Sequence, residues 1–214
     1  MMFRHWFDFL FPPRSDEEVL RGVSDDAFFA ELAPQSIGET SPETAALLPF
    51  HRAPVRAAIH EAKYHGNERA FALLASVLAE YLRDADDVGR TTSNIRLVPV
   101  PLGKKRRKER GFNQTEEIAY RAARELGITV DAGLLVRTRE TVSQVSLPRP
   151  KRIENMRGAF TASLKLRSAS RAEVSEYTYI VVDDVVTTGA TLQAAIDALR
   201  DAGAQHIVPL ALAH

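Results

Sequence analysis

Two adjacent acids followed by three closely spaced threonines carry the densest chemistry in this 214-residue chain: Tyr179-Ile180-Val181-Val182-Asp183-Asp184-Val185-Val186-Thr187-Thr188-Gly189-Ala190-Thr191-Leu192. The apolar residues Tyr179–Val182 read as a buried strand ending in the two acids. Thr-Thr-Gly-Ala-Thr then opens a helix from about Ala190 to Ala202, stopped by Gly203. A helix N-terminus offers backbone N–H groups without intrahelical partners and the positive end of the helix dipole, so it holds a phosphate without needing a lysine. Gly189 would let the backbone approach closely, and the threonine hydroxyls would add donors. Adjacent carboxylates at the carboxyl end of the strand suit the vicinal hydroxyls of a ribose whose 5-phosphate occupies that cradle. Singly, the acids could be an ordinary strand exit, and Thr187 or Thr188 an ordinary helix cap. The joint pattern points to a sugar phosphate.

A second stretch is Leu97-Val98-Pro99-Val100-Pro101-Leu102, then Gly103-Lys104-Lys105-Arg106-Arg107-Lys108-Glu109-Arg110-Gly111-Phe112-Asn113-Gln114. Six of the seven residues from Lys104 to Arg110 are basic, and the run opens off a short strand at Ile95–Val100. Between residues 104 and 157, 14 basic against 7 acidic residues leave +7, in a chain whose formal net charge is +0. Such a block serves as a diphosphate grip, as a nucleic-acid patch, or simply as a solvated loop. Its aromatic residues are Phe112 and Tyr120. Single-strand binding usually pairs charge with stacking rings, so any binding of single-stranded DNA here should be weak and electrostatic.

The strand, two acids and threonine loop resemble the 5-phosphoribosyl-1-diphosphate (PRPP) binding motif of type I phosphoribosyltransferases. Further stretches are similar to the ComF family of phosphoribosyltransferase-like proteins, named after natural competence, the uptake of DNA. These are Arg110-Gly111-Phe112-Asn113-Gln114 heading a helix, Gln144, Arg152-x-x-Asn155 before Gly158-Ala159-Phe160, and Ile59-x-x-x-Lys63-Tyr64-x-Gly66. The resemblance runs from about Leu48 to the C-terminus. It implies that Asp183 and Asp184 act on the ribose hydroxyls, and that Val182 and Val185 with Thr187, Thr188, Gly189, Ala190 and Thr191 complete the PRPP site. It implies a diphosphate grip from Pro99, Val100, Pro101, Lys104, Lys105, Arg106 and Arg110. A mobile loop at Thr138–Arg157 would carry Gln144, Arg149, Lys151 and Arg152. Mg²⁺ would arrive with PRPP, near Asp183 and Asp184. The reaction implied is displacement of diphosphate by a nitrogen acceptor that the sequence does not name. Two alternatives stay open: PRPP sensing without chemistry, and a competence protein that binds single-stranded DNA. Many family members carry cysteine pairs that form a zinc ribbon. This chain has Cys 0, so no zinc is expected.

The elements that must position these residues follow from pattern. Hydrophobic residues at 45% and charged residues at 26% describe a globular chain. The lack of cysteine excludes disulfides, cysteine-ligated clusters and a thiol nucleophile. No apolar run reaches the roughly 18 residues of a membrane span, and Arg4 and Asp8 interrupt the apolar start, so a cytoplasmic protein is expected. The histidines, including His60 and His65, show no ligand spacing and read as structural or surface residues, and no candidate general base stands out. Strands alternating with helices predict an α/β, type I phosphoribosyltransferase-like fold, with a mostly parallel central sheet flanked by helices. The predicted helices are Ala53–His65, Glu68–Arg83 capped by Asn67, and Asn113–Leu126. Further strands are expected at Leu134–Arg137, Ala159–Ala162 and His206–Leu212, with a polar loop through Arg157. Residues 1–50 show no sustained strand pattern and read as a helical N-terminal appendage to a domain over 51–214. Its stripe of Phe3, Trp6, Phe7, Leu10 and Phe11 would pack on that domain, and Ser15 would cap a short helix. A homodimer is left open.

Overall fold

Apolar strands alternating with amphipathic helices produce one mixed six-stranded sheet. The computed structural model describes residues 14–84, 94–139 and 149–214. Its strands lie in the order β1 (Gln35–Ile37), β2 (Thr44–Leu48), β8 (His206–Ala213), β7 (Thr178–Val185), β3 (Ile95–Pro99), β4 (Thr129–Val130). β1 pairs antiparallel with β2, and the other neighbouring pairs are parallel. A separate antiparallel pair joins β5 (Leu135–Arg137) to β6 (Phe160–Ala162).

The sheet is covered on both faces, as the continuous apolar strands require. In β7, Ile180 and Val182 face a cluster that includes Leu47, Leu97 and Leu210 under α4 (Glu68–Asp84) and α6 (Gln114–Leu126). Tyr179 and Val181 face the opposite cluster, with Leu192, Ile196 and Leu199 of α10 (Ala190–Asp201). The start of α4 is fixed by Asn67, whose Oδ1 accepts from the N–H of Arg69 at 3.0 Å and of Ala70 at 3.3 Å. Ahead of it, α3 (Ala53–His60) runs into a π-helical turn at Glu61–His65, which Gly66 ends at φ 59°.

Four expectations need correction. The N-terminal segment is not strand-free, because β1 and β2 extend the main sheet beside β8 and tie residues before 50 into the same layer as those after it. The helices α1 (Ser15–Gly22) and α2 (Asp25–Phe29) do precede them, but α1 has Arg14 at its N-cap and not Ser15. Arg14 instead donates to the buried Glu61 carboxylate at 2.8 and 2.7 Å. The basic run is a helix, α5 (Lys104–Arg110), bounded by Gly103 and by Gly111 at φ 81°, with no buried residue. The polar loop expected through Arg157 contains α7 (Arg149–Met156), whose Met156 is buried against the α10 side. The short helices α8 (Leu164–Ser168) and α9 (Arg171–Ser175) follow β6. The aromatic stripe Phe3–Phe11 and Gln144 lie outside the described residues, as do the side chains of Arg149 and Arg152.

Candidate active site

Strand β3 ends at Pro99, the register partner of Val182, where the Val100 N–H donates to the Val182 carbonyl at 2.9 Å, while β7 runs on to Val185. Beyond that level, at the carboxyl edge of the parallel sheet, lies a cleft of about 490 Å³. Open α/β sheets place their ligand sites at such an edge. Asp183 and Asp184 both line the cleft, although they belong to β7 itself and do not merely follow it.

Alternation along the strand sends the two carboxylates into different surroundings. Asp184 is buried at 7% exposure and accepts from Lys63 Nζ at 2.8 Å and from Gln114 Nε2 at 2.8 Å, while its Oδ1 accepts from the Val185 N–H at 2.8 Å. Burial works to raise its pKa, but Lys63, Gln114 and the backbone donor outweigh burial and hold it below the ordinary carboxylate value. Asp183 has no such cation at contact. Burial, reinforced by the charge of Asp184, pushes its pKa up to about 7. One acid is therefore fixed as a carboxylate and the other is poised to take or release a proton.

The stretches that suggested a family interlock around this pair. Lys63 is supplied by the π-helical turn and Gln114 by the first residue of α6, so the two motifs meet on one carboxylate. Arg110 stands over the Tyr64 ring at 5.1 Å and donates to Gln114 Oε1 at 3.1 Å. Asn113 caps α6 by accepting from the Thr115 N–H at 3.2 Å, and its Nδ2 donates to the Val100 carbonyl at 3.0 Å. Gly66 leaves room for Phe112, since a Cβ there would stand 3.2 Å from the ring.

The threonine loop forms a small pocket of about 20 Å³ that shares Asp183, Val185, Thr187 and Thr191 with the cleft. Thr188 is 5% exposed, and its Oγ1 is buried without a hydrogen-bond partner at the N-terminus of α10. A buried hydroxyl left unsatisfied costs free energy unless a ligand completes it. Gly189, at φ +65°, has a different reason for being glycine than an approach to phosphate. A Cβ there would meet Thr40 Cγ2 at 2.8 Å and the Glu39 Cβ and carbonyl oxygen at 3.0 Å. The β1–β2 connection is thus wedged against the loop, and the Ser41 N–H donates to Gln193 Oε1 of α10 at 2.8 Å.

Of the residues expected to grip diphosphate, Val100, Pro101, Arg106 and Arg110 line the cleft, whereas Pro99, Lys104 and Lys105 are outside its lining. Sequence reasoning missed Lys63 as the partner of Asp184. It also missed His60, which lines the cleft and whose Nδ1 lies 3.2 Å from Asp16 Oδ2 of α1. Partners 44 residues apart in sequence leave no local signal. Among the described residues no group of three His, Cys, Asp or Glu side chains could hold a metal ion, and no helix is long and apolar enough to cross a membrane.

Comparison with known proteins agrees with this geometry. Residues 115–213 match the phosphoribosyl transferase domain family. The chain is 33% identical over 140 residues to the DNA utilization protein YhgH of Escherichia coli K12, covering 65% of this chain and 58% of that protein. It is 31% identical over 134 residues to Competence protein F of Haemophilus influenzae, covering 63% of this chain and 56% of that protein. The chain thus spans less than three fifths of these curated relatives. A solved structure described as the allosteric regulatory enzyme of purine biosynthesis superposes over 72% of this chain and 30% of that one, with TM-score 0.39 and 18% identity, too loosely to carry any argument here. The matched domain, these relatives and the parallel sheet with its acid pair show a phosphoribosyl transferase domain over residues 115–213 in a chain similar to ComF-like proteins.

Proposed function

We propose that the chain binds PRPP together with Mg²⁺ and transfers its 5-phosphoribosyl group to a nitrogen acceptor, releasing diphosphate, in a role connected with DNA uptake or use. The observation that carries this reading is the buried, unpartnered Thr188 hydroxyl, set in a loop between an acid pair and a helix N-terminus. A 5-phosphate would complete that hydroxyl and meet the positive N-terminal end of α10. Asp183 and Asp184 would receive the ribose hydroxyls. Arg106 and Arg110, both on the cleft wall, would neutralise the departing diphosphate.

The acid pair fits a Mg²⁺ that PRPP brings with it. Asp184 is already balanced by Lys63, while burial and the charge of Asp184 raise the pKa of Asp183, so a metal beside it would stabilise the carboxylate. Bound there, Mg²⁺ would neutralise charge on the diphosphate as it leaves.

Calorimetry tests the reading. Wild type should bind PRPP with Mg²⁺ and bind ribose 5-phosphate more weakly. Thr188→Val keeps the shape and removes the orphan hydroxyl. It should leave the free protein as stable or slightly more stable, and should weaken both ligands by about 10-fold or more, the loss of one charge-assisted hydrogen bond. Absence of PRPP binding at millimolar ligand, or a Thr188→Val variant that is less stable yet binds normally, would refute it.

A second reading has its own observation. α5 presents six cations with no buried side chain, a surface suited to a polyanion larger than the cleft. Single-stranded DNA should then bind with an affinity that falls steeply with salt. Charge reversal at Lys104 and Lys105, outside the cleft lining, should flatten that slope without changing PRPP affinity.

A further inference from the structure

His60 lines the cleft, and its surroundings are those of a base and not of a filler. The residue ends α3, and its ring stands between Phe50, at 6.1 Å between centroids, and Tyr64, at 6.0 Å, both edge-on at 66° and 67°. Two neighbouring rings therefore limit how far it can turn. Its Nδ1 lies 3.2 Å from Asp16 Oδ2, contributed by α1 from far earlier in the chain. A carboxylate only accepts, so a hydrogen bond here requires the proton on Nδ1, and in the neutral ring with that tautomer Nε2 keeps its lone pair. The ring is 41% exposed, so the lone pair is not sealed inside the protein.

We propose that His60, oriented by Asp16, takes the proton from the nitrogen acceptor as it attacks the ribose. The inference rests on the phosphoribosyl-transfer reading above. The step balances. The acceptor nitrogen forms a bond to the anomeric carbon, and the bond from that carbon to the diphosphate oxygen breaks with its electron pair going to diphosphate. The N–H proton passes to His60 Nε2 and from there to water. Asp16 is a positioning residue, whose carboxylate keeps the tautomer and favours the imidazolium that forms.

The charged and titratable groups around the ring come from several elements. Asp16 faces it from α1, and Lys63 and Tyr64 stand on the adjoining turn. Arg106 and Arg110 of α5 and Asp183 and Asp184 of β7 line the same cleft. Of these, Asp16 is the one in hydrogen-bond contact with His60.

Two measurements test the proposal. The first needs no acceptor. Imidazole nitrogen NMR of the full chain should show the Nδ1–H tautomer at His60, and Asp16→Asn should abolish that preference. The second follows diphosphate release from PRPP and Mg²⁺ with a panel of free nucleobases and aromatic amines as acceptors. His60→Phe keeps a ring between Phe50 and Tyr64 and should lower kcat about 100-fold or more, with PRPP affinity by calorimetry unchanged. His60→Ala should recover activity with added imidazole. Asp16→Asn should lower kcat less than His60→Phe and move the acidic limb of the pH profile. His60→Phe turning over like wild type, or an Nε2–H tautomer in wild type, overturns the assignment. If wild type binds PRPP but no acceptor in the panel releases diphosphate, the base is refuted while PRPP binding stands. If PRPP does not bind at all, the function proposed above fails as well.

Discussion

Replacing Lys63 by Met isolates the interaction that holds the floor of the cleft. Asp184 is 7% exposed and Lys63 Nζ is 2.8 Å from it, with side-chain exposures of 24% and 10% for lysine and aspartate, so little solvent screens the pair. Removing one partner of a buried ion pair costs about 3–5 kcal/mol, because the other charge is left uncompensated. Gln114 Nε2 and the Val185 N–H still hold Asp184 in the variant, which places the loss near the lower end, about 3 kcal/mol. At about 2–4 °C per kcal/mol for a chain of this size, Tm should fall by roughly 6–12 °C. Asp184→Asn in the Lys63→Met background should then cost far less than it does alone, because the charge it removes is already unpaired. Urea unfolding of the four proteins in this cycle gives the coupling, expected to exceed about 1.5 kcal/mol. The pH dependence carries the same information. A carboxyl held below its ordinary pKa adds stability above that ordinary value and loses it as pH falls through the folded value, so Lys63→Met should shrink this acid-sensitive contribution. Additive single costs, within about 0.5 kcal/mol, would refute the claim that Lys63 acts through Asp184.

Asp183 gives the opposite sign. Its folded pKa of about 7 stands above the ordinary 3.8, so the wild type gains stability as pH falls from about 7 toward the ordinary value, by at most about 1.4 kcal/mol per pH unit. Asp183→Asn should flatten that slope in urea unfolding at pH 5, 6 and 7. Gly189→Ala forces a Cβ into Thr40 and Glu39 while φ stays at +65°, and should destabilise by about 1–3 kcal/mol in the same assay. Thr40→Ser, which removes Cγ2, should recover part of that loss. Arg106→Ala with Arg110→Ala should weaken PRPP at least tenfold and ribose 5-phosphate little, measured by calorimetry, whereas Lys104→Ala with Lys105→Ala should leave both nearly unchanged.

How legible each part of the molecule was depends on whether its cause is local. The α10 helix, its preceding strand and the acid pair follow from apolar runs, a glycine at a left-handed position and the residues on either side, all within 25 positions, and the structure reproduces them with β7 extended through both acids. The α4 start follows in the same way from Asn67. The run Lys104–Arg110 left its backbone open, because a block of like charges shows no apolar period from which to read a helix. Glycines at both ends and a helix propensity close to alanine's for Lys and Arg suffice for two turns on the surface. The strands β1 and β2 were invisible for another reason: Gln35–Ile37 holds a single apolar residue, and Thr44–Leu48 shows no alternation and is made mostly of alanine and leucine, which favour helix.

The N-terminal strands also explain what the glycine in the threonine loop is for. Read locally, Gly189 serves the ligand. Its actual neighbours are Thr40 and Glu39, a contact of about 150 residues in sequence separation that no pattern within the loop could disclose. The consequence is functional as well as structural. Thr40 is itself held by Thr44 Oγ1 at 2.6 Å and by the Pro42 carbonyl at 2.7 Å, and Gln193 of α10 accepts from Ser41, so the β1–β2 connection braces the helix N-terminus from outside. If the loop holds the phosphate proposed above, N–H groups kept in place before the ligand arrives would give affinity that need not be lost to ordering. Asp16 contacts His60 of the cleft, and Thr40 packs against Gly189 of the threonine loop. Both contacts come from the first 50 residues, so in the proposed function that segment would help to hold the site together with the strand and loop that announce it.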